Sequence, residues 1–182
     1  MPIVLVLLTG LLVVDLLDPP PLPAQVPGAD VAAYHRLVSD HFSVAPGEVA
    51  ILSEGVPHPD ELPVLLRLSR ASGISPAALS ARRRSGESWL GIARRYGLGA
   101  GAFHITIPED QVGSQVERAH RLFSETPSAG WDALDLRDEE LVALSNLDFL
   151  HRELGTPMGR ILESHDEAGS FVGALRGLVA SR

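Results

Sequence analysis

Apolar residues recur along the chain with the spacing of an amphipathic helix. Within "SWLGIARRYG" they stand at positions i, i+3, i+4 and i+7, which are Trp89, Ile92, Ala93 and Tyr96. Two further stripes follow the same spacing: Ala143, Leu147, Leu150 and Leu154, and Val112, Val116 and Phe123 with His120 in line. Because this spacing places apolar side chains on one face of a helix, each stripe predicts a helix packed on a core.

Three segments share one plan, in which a helix, a short turn and a proline at the start of a second helix follow one another. These segments are residues 30–46, 60–76 and 138–157. Left-handed helix ends are predicted at Gly73 and Gly155, and helix starts at Ser75-Pro76 and Thr156-Pro157. The recurrence of these signals in one order predicts an internal repeat.

The second and third segments are each followed by a similar hexapeptide, "SWLGIA" at 88–93 and "SFVGAL" at 170–175. Asp60 and Asp138 place negative charge at helix N-termini, where the helix dipole favours it. We therefore expect an all-α fold of about seven helices, arranged as repeated helix-turn-helix units in a compact domain. Apolar and polar residues alternate in "FHITIP", and this alternation predicts one short extended segment at 103–108.

The first 24 residues differ from the rest of the chain. Residues 3–14 are apolar over the length of a secretory signal core, and residues 19–21 are three prolines that end any helix. We expect residues 1–24 to be a signal-like or membrane-tethering segment, with 3–17 as the tether. Residues 25–110 should hold the N-terminal repeats, and 111–182 the C-terminal helices with a third repeat, packed as one domain. Export to the periplasm or a membrane surface is predicted, with a cytoplasmic location as the alternative.

Composition limits the classes of function. The 182 residues carry a net charge of −8, which argues against binding of nucleic acid by the whole surface. The chain has no cysteine, which excludes disulfides, thiolate metal sites and cysteine nucleophiles. No phosphate-binding glycine motif and no nucleophile elbow is present, so we predict no cofactor and favour a protein that is not an enzyme.

Positive charge is concentrated in one stretch. Residues 67–97 contain seven arginines and one glutamate. The candidate binding face for an anionic partner consists of Arg82, Arg83, Arg84, Arg94 and Arg95. The alternative is a solvated helix face whose arginines pair with Glu61 or Glu87.

Two known motifs resemble the segment around Trp89. "GESWLGIARRYGL" is close to the first part of a LysM peptidoglycan-binding module, which requires a strand before it and a helix and strand after it. "IARRYGLGAGAF" and "LSRASGISPAAL" resemble the helix-turn-helix of DNA-binding proteins, although the stretch after Gly97 lacks side chains that read bases. Both remain alternatives to a helical interaction module.

Two pairs of residues have metal-ligand spacing. Glu117 with His120, and Asp148 with His151, each place a carboxylate and an imidazole one helical turn apart, as in di-iron bundles. Such a site needs two more carboxylates from other helices. Histidines that pack against the core explain the same spacing more simply, so no metal is predicted.

The motifs together resemble a family of small exported bacterial helical proteins with an "LRRSGxSWxxIARRYGV" segment. The matching stretches are "FSVAP" (42–46), "RRRSGESWLGIARRYGL" (82–98), "FHITIP" (103–108), "LVALSNLDFL" (141–150) and "AGSFVGAL" (168–175). His104 departs from the family pattern, which has an aromatic residue there. The resemblance covers 30–182 and implies an exported helical protein, without implying an activity.

These observations favour a non-enzymatic, exported structural or interaction module that binds an anionic partner through its arginine face. The predicted partner is a protein or an anionic surface of the cell envelope, and self-association is a further mode. The alternatives are a helix-turn-helix protein that binds nucleic acid and a LysM-like cell-wall binder.

Overall fold

The computed structural model describes residues 27–180, and these residues form an all-helical fold without strands. Its α-helices are α1 (Pro27–Phe42), α2 (Pro46–Glu54), α3 (Leu62–Ser72), α4 (Pro76–Arg84), α5 (Trp89–Arg95), α6 (Glu117–Glu125), α7 (Asp138–Leu154), α8 (Met158–Ala168) and α9 (Phe171–Ala180). Four short 3-10 helices connect them: Pro59–Glu61, Ala100–Phe103, Glu109–Gln111 and Ser128–Ala133. The predicted all-α class is confirmed, with more helices than the periodicity indicated.

The predicted extended segment at 103–108 is not a strand. Phe103 ends a 3-10 helix, and residues 104–108 form an irregular connection. Its two ends, His104 and Pro108, have the extended backbone angles of a polyproline-like chain. The alternation of apolar and polar residues therefore arises because Phe103 and Ile107 are buried in the core. It does not arise from pairing with a neighbouring strand.

Helix ends follow the local signals. Gly73 (φ 72°) and Gly155 (φ 62°) adopt the left-handed conformation that ends α3 and α7, as predicted. Ser75 caps α4 and accepts a hydrogen bond from the backbone N–H of Ala78. The predicted cap at Thr156 is wrong by one residue, because Pro157 occupies the N-cap position and α8 begins at Met158.

The buried side chains form one hydrophobic cluster that extends from Tyr34 to Leu178. Its largest fully buried members are Trp89, Tyr34, Phe103, Phe149 and Phe171. The predicted stripe on α7 lies in this cluster, and so does the stripe that begins at Trp89, whose last member Tyr96 is half-buried. Helix α3 packs against α7 at the centre, while α9 packs against α8 and α1.

The predicted N-terminal segment at 1–24 lies outside the described residues. No helix formed by residues 27–180 combines the length and the apolar composition needed to cross a lipid bilayer.

Candidate functional site

Arg83, a member of the predicted arginine face, points into the protein and pairs with Glu61. Its Nε and Nη2 atoms lie 2.7 and 3.0 Å from the two carboxylate oxygens of Glu61. Its Nη1 lies 2.6 Å from Oδ2 of Asp138, and the guanidinium stands 5.3 Å from the ring centre of Trp89. Glu61 is 6% exposed. This pairing raises the pKa of Arg83, with the hydrogen bonds to Glu61 as the main cause.

The indole of Trp89 completes this buried network. Its Nε1 donates to Oε2 of Glu61 at 2.9 Å, and its backbone N–H donates to Oδ1 of Asp138 at 2.8 Å. Glu61 thus accepts hydrogen bonds from two different side chains. The network joins the start of α3, the end of α4, the start of α5 and the start of α7. Arg83 therefore stabilises the packing of these four helices.

Asp60 and Asp138 each cap the N-terminus of a helix other than their own. Asp138 accepts from the first residue of α5, as described above. Asp60 accepts from the backbone N–H groups of Phe171 and Val172, both at 2.9 Å, at the start of α9. Helices α5 and α9 carry the two matching hexapeptides. Sequence reasoning assigned these aspartates only to the starts of their own segments and missed the second role.

Arg82 and Arg95 lie together at the surface because both pair with Glu87. Arg95 Nε is 2.9 Å from one carboxylate oxygen of Glu87, and Arg82 Nη1 is 3.5 Å from the other. Arg82 Nε also donates to the hydroxyl of Tyr96 at 2.9 Å, and this hydrogen bond is the main cause of its raised pKa. The pairings with Glu61 and Glu87 that were expected as the alternative to a binding face are present, although Arg83 is largely buried and not part of a solvated face.

The remaining two arginines of the predicted face are exposed. Arg94 donates to the carbonyl oxygen of Leu134 at 3.0 Å and lies 3.8 Å from Asp135. Arg84 is exposed and makes no ion pair or side-chain hydrogen bond with any residue in 27–180. The five arginines therefore divide: Arg83 is internal, Arg82 and Arg95 converge on one carboxylate, and Arg84 and Arg94 stand at the surface.

The flanks of α5 do not form the two motifs that its sequence resembles. Helix α4 precedes it, and the part of the chain that the structure describes lacks the strands of a LysM module. After α5, Gly97 turns the chain with φ 78° into the four-residue 3-10 helix Ala100–Phe103. Four residues are too few for a recognition helix. The pair α3 and α4 around Gly73 does have the helix–turn–helix order.

Three members of the two pairs with metal-ligand spacing have other partners. Asp148 pairs with Arg152 at 2.7 Å, and the Nδ1 of His151 donates to the carbonyl oxygen of Thr156 at 2.8 Å. His120 lies 3.8 Å from Glu109. Across residues 27–180, no group of three or more His, Cys, Asp or Glu side chains could hold a metal ion.

A second group of arginines was not singled out from the sequence. Arg67, Arg70 and Arg152 line a cleft of about 500 Å³ together with side chains of α1 and α7. Arg67 and Arg70 are two of the seven arginines in the basic stretch, but Arg152 is 82 positions further along the chain than Arg70. Their convergence depends on the packing of α3 against α7, which periodicity does not predict.

No family model, curated protein or solved structure matches the chain. The resemblance of residues 30–182 to the exported helical family stays a prediction.

Proposed function

We propose that the protein is a non-enzymatic, exported interaction module that binds an acidic protein partner through the surface arginines of α4 and α5. The proposal depends on one observation above all: Arg82 and Arg95 share the single carboxylate of Glu87, and Arg84 beside them has no ionic partner among the described residues. This surface therefore carries more positive than negative charge in a chain whose net charge is −8.

The positive charge of this surface favours association with an acidic surface. Exposed guanidinium groups can reach a carboxylate with two parallel hydrogen bonds, and their charge accelerates encounter with an acidic partner. Arg94 and Arg95 are about half exposed, with side-chain exposures of 46% and 50%, so a partner can displace their present contacts at little free-energy cost. Arg83 holds the end of α4 in place and so positions this surface.

We further propose that the fold consists of repeated helix–turn–helix units. The first helices of the three segments end alike: Ser43, Gly73 and Gly155 all have positive φ. In each case the side chain four residues earlier donates to the carbonyl oxygen one residue later, from Ser39 to Val44, Ser69 to Ile74 and His151 to Thr156. The crossed caps of Asp60 on α9 and Asp138 on α5 support the same proposal.

Export is proposed on the signal-like character of residues 1–24. Secretion of the full chain in a bacterial host, followed by N-terminal sequencing of the periplasmic protein, tests it. Loss of residues 1–24 or retention in the membrane through them is expected. An intact chain in the cytosol would contradict export.

The binding proposal is tested with a fluorescent oligoglutamate peptide as the acidic probe. In the test variant, Arg84, Arg94 and Arg95 are replaced by serine. In the control variant, serine replaces Arg36, Arg121 and Arg160, which are exposed elsewhere on the protein. Both variants therefore lose the same amount of positive charge. We expect the test variant to bind about tenfold more weakly or worse, and the control to stay within about twofold of the original chain.

Equal loss in both variants would show that only net charge matters and would contradict the proposal. The same proteins are titrated with duplex DNA, vesicles containing phosphatidylglycerol, and peptidoglycan sacculi. Tighter binding to any of these than to oligoglutamate, lost in the test variant, would replace the acidic protein by that partner. Self-association is measured by sedimentation, and an oligomer abolished by the test variant would identify a second copy as the partner.

A further inference from the structure

The cleft lined by Arg67, Arg70 and Arg152 is open to solvent and lies between three helices. Its walls come from α1, α3 and α7, with Ala102 from the 3-10 helix. The apolar part of the wall consists of Phe42, Pro63, Ala71, Ala102 and Phe149. A volume of about 500 Å³ lies within the range of pockets that hold small organic molecules.

Two polar groups in this cleft are buried without a hydrogen-bond partner among residues 27–180. One is the hydroxyl of Ser145, whose residue is only 3% exposed. The other is Nη1 of Arg67. The other two nitrogens of the Arg67 guanidinium donate to the carbonyl oxygens of Ala102 at 3.0 Å and His104 at 3.3 Å. A buried polar group without a partner is unfavourable unless a ligand or water satisfies it.

The charge of the cleft is positive. Three guanidinium groups and one carboxylate, that of Asp148, line the cleft, and Arg152 holds Asp148 Oδ1 at 2.7 Å. Asp148 Oδ2 lies 3.6 Å from Nη1 of Arg67, which is too far for a hydrogen bond. His41, which also lines the cleft, pairs with Glu153 at 2.6 Å. Burial lowers the pKa of Arg67, with Arg152 adding to the effect and Asp148 opposing it.

We propose that this cleft binds a small organic carboxylate, with the charged group at Arg67 and Ser145 and the apolar part against Ala71 and Ala102. A carboxylate can accept from either donor that lacks a hydrogen-bond partner, and it compensates the surplus positive charge. Ala71 and Ala102, which are not buried, offer apolar surface to the rest of such a ligand, whereas an inorganic anion would leave this surface unused. The site shares no residue with the surface of α4 and α5, so it goes beyond the function proposed above.

The test uses hexanoate, hexan-1-ol and inorganic phosphate as probes of the full-length protein. Binding at millimolar concentration is followed by calorimetry and by NMR shifts of the Ser145 and Phe149 backbone amides. We expect hexanoate to bind at least about tenfold more tightly than hexan-1-ol and phosphate. Equal binding of hexanoate and hexan-1-ol, or phosphate binding as tightly as hexanoate, would overturn the proposal.

Variants show whether binding occurs in the cleft. Because Arg67 also holds the backbone of Ala102 and His104, the variants are Ser145→Ala and Arg152→Gln, with the exposed Arg160→Gln as the charge-matched control. Each cleft variant should weaken hexanoate binding by about threefold to tenfold, and the control should leave it unchanged. Unchanged binding in both cleft variants would overturn the proposal. Oligoglutamate binding should be unaffected in all of them, which separates this site from the surface of α4 and α5.

Discussion

Replacement of Arg83 by alanine tests the claim that this arginine holds the fold and does not bind a partner. The substitution removes both hydrogen bonds from Arg83 to Glu61 and the one to Asp138. Glu61, which is 6% exposed in the original chain, would keep only the Trp89 indole as a side-chain donor among the described residues. A largely buried carboxylate without its counter-charge is unfavourable, because one remaining hydrogen bond compensates only part of its lost hydration.

The expected loss follows from the burial of both partners. The side chains of Arg83 and Glu61 are 16% and 8% exposed, so solvent screens the pair weakly. Removal of one partner from a buried pair costs about 3–5 kcal/mol, and the partial exposure of Arg83 places this case near about 3 kcal/mol. For a domain of this size, the melting temperature should fall by about 10 °C. Arg84→Ala, one position along α4 and exposed, should change stability by less than about 0.5 kcal/mol.

Urea unfolding followed by circular dichroism measures both effects, and a double variant isolates the cause. If the buried charge is responsible, Glu61→Gln added to Arg83→Ala should recover part of the loss, since the amide oxygen still accepts from Trp89 without a charge. Arg83 does not stabilise the fold through Glu61 if Arg83→Ala is as stable as Arg84→Ala, or if the double variant is less stable than Arg83→Ala alone.

Two further outcomes follow from the structure. Burial, reinforced by Arg67 and His120, lowers the pKa of His104, so the unfolded chain takes up a proton near about pH 6.5 while the folded chain resists it. The free energy of unfolding should therefore fall as the pH is lowered from about 7.5 to about 5.5. His104→Asn should reduce this pH dependence in urea titrations. An undiminished pH dependence in that variant would contradict the assignment of this effect to His104. Asp60→Ala removes the cap of α9 and should cost about 1–2 kcal/mol, with faster hydrogen exchange at Phe171 and Val172. Unchanged exchange at these amides would show that the cap contributes nothing.

Much of the fold is predictable because its signals are local. The burial of the α7 stripe follows from side-chain spacing within one helix, and the ends of α3 and α7 follow from single glycines. These features depend on neighbours in the chain, which a sequence displays directly.

The roles of the arginines depend on contacts between distant residues, and sequence patterns do not distinguish them. Arg83 and Arg84 are adjacent in α4, yet one pairs with Glu61 and Asp138 and the other is exposed. The rotation of α4 about its own axis, relative to α3 and α7, determines which of the two arginines points into the protein. The cleft lined by Arg67, Arg70 and Arg152 is not predictable from the sequence for the same reason, because Arg67 and Arg152 come together only when α3 packs on α7.

The salt dependence of oligoglutamate binding tests the central proposal most directly. If Arg84, Arg94 and Arg95 contact the acidic partner, binding to the original chain should weaken steeply as salt rises, and their replacement by serine should both weaken binding and flatten this dependence. The control variant at Arg36, Arg121 and Arg160 should keep the original slope. The same slope and affinity in all three proteins would contradict the assignment of this surface as the binding face.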